Sequence, residues 1–138
     1  MPDLTIHPDL ASAVLKADST CLKGERHRHV TGYLVYLLGK AANAKGHGFI
    51  PIYDLMIYSM AFGLSESKFK RYLEDAESVG FVEIVKSHSI DTVRLMGWEH
   101  IARLLDCDRI GWPVYVPISE RTIGSLGKWR ATLLAAWH

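Results

Sequence analysis

The chain lacks most of the signals that announce a chemistry. It has two cysteines, Cys21 and Cys107, in 138 residues. That is too few for a disulfide scaffold, so two free thiols in a reducing cytoplasm are expected. C-x-x-C pairs are missing, and so are histidines at i, i+4, the spacings that usually announce zinc. His27 and His29 stand two apart, which turns them to different sides of a helix, and Cys21 reaches them only through a loop. No metal and no cofactor are expected. Phosphate-cradling loops of the form G-x-x-x-x-G-K-[ST] or G-x-G-x-x-G are absent, and "GHG" (46–48) is too short to replace them. A G-x-S-x-G elbow is absent too, and nothing places one acid opposite another. The expectation is a protein that is not an enzyme. No apolar run approaches the roughly 20 residues of a bilayer span. The opening "MPDLTIHPDL" has neither the basic nor the apolar region of a signal peptide. A cytoplasmic protein is expected, nucleoid-associated if bacterial, with no membrane partner.

What is present is an ordinary globular composition, 49% hydrophobic and 22% charged, in a length suited to one domain with a real core. The net charge of +1 conceals an asymmetry. Residues 21–73 carry eight Lys/Arg against Glu25, Asp54 and Glu66, whereas both flanks are net acidic. A cationic middle suits a polyanionic partner and is equally compatible with a solvated face.

Pattern and punctuation divide the chain as follows. "HPDLASAVLKA" (7–17) predicts a short helix with Pro8 at its first position, and 17–25 a loop. Val30, Tyr33, Leu34, Leu37, Leu38 and Ala41 follow i, i+3, i+4, i+7 spacing and predict a helix over 26–44. "KGHGF" stops it. "FIPI" (49–52) is extended because Pro51 disfavours helix before it, and 53–62 is helical up to Gly63. Ser65 is an N-cap, and the helix it opens runs to Ser78 or Val79 before Gly80. "FVEIV" (81–85) and "TVRLM" (92–96) alternate as strands around "KSHSID", a hairpin. A helix is expected over 97–107, with Ile101, Leu104 and Leu105 inward, then an extended connector over 110–118. Ser119 is placed to cap a last helix whose Ile123, Leu126, Leu133 and Trp137 share a stripe, although Gly124 and Gly127 weaken it by about 1 kcal/mol each. Tyr33, Tyr36, Tyr53, Tyr58, Phe62 and Phe69 fit helical stripes and read as core.

One stretch is more specific, "GLSESKFKRYLEDAESVGFV" (63–82). Leu64, Phe69, Leu73 and Ala76 form an inward stripe, leaving Glu66, Ser67, Lys68, Lys70, Arg71 and Glu74 on the outward and flanking faces. Cations crowd the start; Asp75 and Glu77, towards the end, are expected to face away from phosphates or to pair with cations. Gly63, Leu64, Ser65, Ser67, Phe69, Arg71 and Leu73, then Glu77, Gly80, Phe81 and Val82, match a pattern common in winged helix-turn-helix domains. The order helix, short strand, helix, tight turn, helix, hairpin over roughly half the chain also resembles that family. One departure stands out: Tyr58 and Ser59 occupy positions where small residues, often Leu-Ala, are usual.

The resemblance implies a mainly α fold with a small β-hairpin, a winged helix-turn-helix with extra N- and C-terminal helices. Within a single domain over 1–138, the core would span 26–96 and a C-terminal helical extension 97–138. It implies sequence-directed binding of double-stranded DNA, with Lys68, Lys70 and Arg71 of the 65–79 helix on bases or phosphates in the major groove. Ser65 and Ser67 would hold backbone register. Lys86, Ser87, His88 and Ser89 would form the wing that touches the backbone, or a plain solvated turn. Arg26 and Arg28 either add phosphate contacts or are solvated. A transcriptional regulator fits. A plasmid or phage replication-initiator or partition-type protein fits almost equally, and a protein-binding adaptor is the third reading. The apolar 119–138 segment, "WRATLLAAWH" at its end, packs on the domain, continues beyond it, or forms a homodimer contact.

Overall fold

Helix α2 (Arg28–Ala42) is the hub of the molecule, because every position from Val30 to Gly39 is buried. A helix enclosed on all sides has to be wrapped by other elements, and the rest of the chain does so. The computed structural model describes residues 3–19, 27–43, 48–107, 111–117 and 126–137. Around α2 are a strand β1 (Asp3–Ile6), α1 (Pro8–Ser19), β2 (Phe49–Pro51), α3 (Ile52–Ala61) and α4 (Glu66–Ser78). They continue with β3 (Val82–Val85), β4 (Thr92–Leu95), α5 (Trp98–Leu104), β5 (Val114–Pro117) and α6 (Leu126–Trp137). The fold is mixed but predominantly helical, with two small antiparallel sheets among the described residues.

The central sheet has the order β2-β4-β3, all pairs antiparallel. Register sets its two faces. Ile50, Val93 and Ile84 align across it and point inward with Val82 and Leu95, while Phe49, Arg94 and Glu83 align on the outer face. Gly39 is what lets α2 lie close to this sheet: a Cβ there would fall 2.7 Å from a Leu95 methyl. Tyr36 closes the other side of that contact, donating its hydroxyl to the Met96 carbonyl at 2.5 Å. Phe81 stacks edge-on to Tyr33 and tilted against Tyr36; of the aromatics expected in the core, Tyr33, Tyr36 and Phe69 are buried and Tyr58 and Phe62 lie half-buried against it.

The terminal elements form a second layer. β1 pairs with β5, Leu4 opposite Val116, and buries Leu4 and Ile6 completely. Asp9 and His7 hold the chain leading into β5, Asp9 by accepting from the Gly111 amide at 2.9 Å. In α6, Trp129 is fully buried and donates its indole N–H to the Val30 carbonyl at 2.9 Å; Leu133 is buried beside it. The last helix therefore packs on the domain, against α1 and α2.

Four expectations need correction. The connector over 110–118 contains a strand, paired with residues 3–6, where sequence pattern predicts no element, because the pairing joins the two ends of the chain. The loop expected from 17 begins later, since α1 runs to Ser19 and ends with the Ser19 hydroxyl on the Lys16 carbonyl. The helix expected over 97–107 spans only seven residues. It leaves Leu104 47% exposed and Leu105 half-buried, and turns left-handed at Asp106 (φ 57°). Tyr53, expected in the core, is 64% exposed, because the helix turns Leu55 and Ser59 inward and residue 53 falls on the other side. Asp75 faces away from the outer surface, buried against α2. Residues 20–26, with Cys21 and Arg26, and residues 118–125, with Ser119 and Ile123, lie outside the described residues, as do the side chains of Leu126 and Trp137.

Candidate nucleic-acid interface

The turn into α4 is built from backbone bonds and one glycine. Gly63 (φ 99°) takes a conformation that a side chain would strain, and the Gly63 and Leu64 amides donate to Met60 and Ser59 carbonyls. Ser65 then caps the helix, accepting the Lys68 amide at 3.3 Å. At the other end Gly80 (φ 86°) lets the chain reverse, and the Phe81 amide returns to the Ala76 carbonyl.

Phe69, Tyr72, Leu73 and Ala76 form the buried stripe of α4, one residue richer than the sequence stripe because Tyr72 joins it. α2 approaches this helix without a side chain between them: a Cβ on Gly32 would fall 2.8 Å from the Ala76 Cα and backbone nitrogen. Beside that contact the Thr31 hydroxyl donates to the Asp75 carboxylate at 2.6 Å. That bond satisfies one of the two oxygens of the buried carboxylate and offsets part of the cost of burying it.

The opposite face of α4 is open. Glu66, Ser67, Lys70, Arg71 and Glu74 are exposed and Lys68 is half-exposed. Lys70 pairs with Glu66 at 3.2 Å, both well solvated, so the pair contributes little and leaves the ammonium easily redirected. The Arg71 guanidinium lies 5.7 Å from the Tyr72 ring centre. Ser65, Ser67, Lys68, Lys70 and Arg71 are thus gathered on the first two turns of one solvent-facing surface. Arg28 is exposed one turn before Thr31, at the end of α2 that is bonded to α4.

The hairpin tip holds Lys86, Ser87, His88 and Ser89, all exposed. Ser87 is engaged in the turn itself: its hydroxyl donates to the Ile90 carbonyl and accepts the Ile90 amide. That leaves Lys86, His88 and Ser89 as the tip's outward groups. At the hairpin root Pro51, Thr92 and Val85 align across the sheet, and the Ile52 amide that opens α3 donates to the Asp91 carbonyl at 3.0 Å. On the free side of β3 the Glu77 carboxylate accepts the Ile84 amide at 3.2 Å, which ties the hairpin to the last turns of α4 and blunts the sheet edge.

The Tyr58–Ser59 departure resolves simply. Ser59 takes the buried position, and Tyr58 lies half-buried against Phe62, ring centres 5.2 Å apart. Burial raises the Tyr58 phenol above its usual pKa. The Ser59 hydroxyl is buried and has no hydrogen-bond partner among the described residues.

Histidines form no metal centre among the described residues. His29 instead completes a cap. Asp18, at the end of α1, accepts the His29 and Val30 amides at 3.1 and 2.8 Å and the His29 ring nitrogen at 2.8 Å. Burial pushes the Asp18 carboxyl up, but these three donors outweigh it and hold the pKa below the usual value. Sequence reasoning missed this pair because Asp18 belongs to another helix. It also missed Lys40, Arg94 and Glu83, since nothing local marks an outer sheet face as a place where charges meet.

No protein-family model, no curated protein and no solved structure matches the chain. Among the described residues no helix is long and apolar enough to cross a membrane.

Proposed function

We propose that the chain is a winged helix-turn-helix that binds double-stranded DNA. In this reading α4 enters the major groove by its Ser65–Arg71 end, and the 86–91 wing reaches the flanking backbone. The observation that carries the reading is topological. Elements α2-β2-α3-α4-β3-β4, with the sheet ordered β2-β4-β3, tie a hairpin to the helix whose exposed face begins with cations. Lys68, Lys70 and Arg71 supply phosphate or base contacts, and Ser65 and Ser67 hold register at the helix start. Lys86, His88 and Ser89 serve the backbone, with Ser87 shaping the turn. Arg28 contributes at the periphery. The burial of Asp75 against Thr31 supports the arrangement, because it removes one carboxylate from the face that would approach phosphates.

A cytoplasmic transcriptional regulator is the role proposed first, and a plasmid or phage replication-initiator or partition-type protein uses the same surface. One observation favours an adaptor instead: Tyr53, Ile57 and Met60, at i, i+4, i+7 of α3, are all exposed. For a homodimer through 119–138, α6 offers Leu134 as an exposed large apolar residue among its described side chains.

Replacing Lys70 and Arg71 together by alanine tests the DNA reading. DNA sites selected from random duplexes should bind the variant at least tenfold more weakly. The slope of log affinity against log salt should become shallower by about 2, since each phosphate no longer neutralised removes about 0.9. Unchanged affinity and slope would remove α4 from the interface.

A further inference from the structure

Beside the last turn of α2, along the central sheet, lies a groove of about 710 Å³, lined by Lys40, Gly48, Phe49, Glu83, Val85, Arg94, Leu95 and Gly97. Its floor is firmly built. The Leu95 amide donates to the Gly48 carbonyl at 2.6 Å, and the Asn43 side-chain amide donates to the Phe49 carbonyl at 2.9 Å. Gly39 brings α2 against Leu95 at the base. The volume falls in the range of small-molecule sites.

The chemistry of the walls is selective. Lys40 reaches in from the last turn of α2 with its ammonium 5.4 Å from the Tyr36 ring centre and 5.3 Å from that of Trp98. No carboxylate pairs with it among the described residues. Partial burial makes the amine hold its proton less firmly than usual, the mark of a cation whose hydration is incomplete. Arg94 lines the same groove, paired to Glu83 at 3.4 Å with both side chains half in solvent. Such a pair opens at little cost, and a guanidinium fork matches a carboxylate. Phe49, half-exposed on the strand opposite Arg94, offers an apolar surface together with Val85.

We propose that this groove binds a small organic anion, a carboxylate joined to an apolar or aromatic body, with Lys40 and Arg94 on the carboxylate and Phe49 on the body. A cation would meet two positive side chains against the single carboxylate of Glu83. A bare inorganic anion would leave the apolar wall unused, and a neutral ring would leave the Lys40 ammonium without its counter-charge. The site is separate from α4 and does not depend on the DNA reading.

Titration of the ¹⁵N-labelled protein with benzoate, benzyl alcohol and inorganic phosphate tests it. Benzoate at millimolar concentration should move the amides of Gly48, Arg94 and Gly97 saturably, while those of Ser65–Arg71 stay in place. Benzyl alcohol and phosphate should bind about tenfold more weakly or not at all. Lys40→Met and Arg94→Gln, each with native amide dispersion, should weaken benzoate by about tenfold. Absence of saturable shifts at the groove would overturn the proposal. So would phosphate or benzyl alcohol performing as well as benzoate, or both variants binding like the parent.

Discussion

Replacing Gly32 by alanine separates two effects of opposite sign. Gly32 lies within α2, where alanine is favoured over glycine by about 1 kcal/mol in an exposed helix interior. Propensity alone therefore predicts a more stable protein. The structure predicts the reverse. A Cβ at this position meets the Ala76 Cα and nitrogen at 2.8 Å and the Asp75 carbonyl carbon at 3.2 Å. All three are backbone atoms, so no rotamer change relieves the contact; α2 and α4 have to move apart. Overpacking of a tight interface typically costs about 1–3 kcal/mol, and separation also lengthens the 2.6 Å Thr31–Asp75 bond, whose buried carboxylate has reason to keep its donor. Subtracting the propensity gain leaves about 0–2 kcal/mol, and the lengthened Thr31–Asp75 bond adds about 1 kcal/mol, so Gly32→Ala should destabilise by about 1–3 kcal/mol. At roughly 4 °C per kcal/mol for a chain of this size, the melting temperature should fall by about 4–12 °C. Urea denaturation followed by far-ultraviolet circular dichroism reads the effect as a lower midpoint at unchanged slope. Gly97→Ala is the control: nothing lies within 4 Å of its added Cβ, and the change should be about 0.5 kcal/mol or less. A Gly32→Ala protein as stable as the parent, or more so, would refute the close helix approach.

Two further outcomes follow from buried polar groups. Asp18 is a depressed carboxylate, so its contribution to stability is complete above the unfolded aspartate value near 4 and is lost as pH falls through the lower folded value. Asp18→Asn should lose about 1–3 kcal/mol at pH 7 and show a flatter stability profile below pH 5; parallel profiles for the two proteins would dismiss the cap. Ser59→Ala should stabilise by about 1 kcal/mol in the same denaturation assay, because the hydroxyl it removes is buried without a partner among the described residues. A loss of stability there would mean that the hydroxyl is bonded after all.

Much of the middle of the chain was legible, for local reasons. Gly63, Ser65 and Gly80 act on their own backbone within a few residues, so the limits of α4 could be placed from sequence. The hairpin could be placed likewise, since alternation and a polar turn suffice. Phe69, Leu73 and Ala76 were legible as an inward stripe because helical spacing puts them there whatever they meet. Tyr72 was not, since an amphipathic aromatic sits equally well at the edge of a face or within it, and only the shape of α2 decides. Asp75 ran against composition: a carboxylate in a charged helix reads as solvated until a hydroxyl from residue 31 is found against it.

What the sequence determined by itself is the succession of elements from α2 to β4 and the cationic face of α4, because caps, glycines and periodicity act through bonds between near neighbours. Tertiary structure alone decided the β1–β5 pairing, the burial of Trp129 under Val30, the Asp18 cap on α2 and the meeting of Lys40 with Arg94. Each joins residues at least eleven positions apart, and three of them more than fifty. Contacts at that distance depend on how whole elements pack, and no local pattern in the chain encodes them.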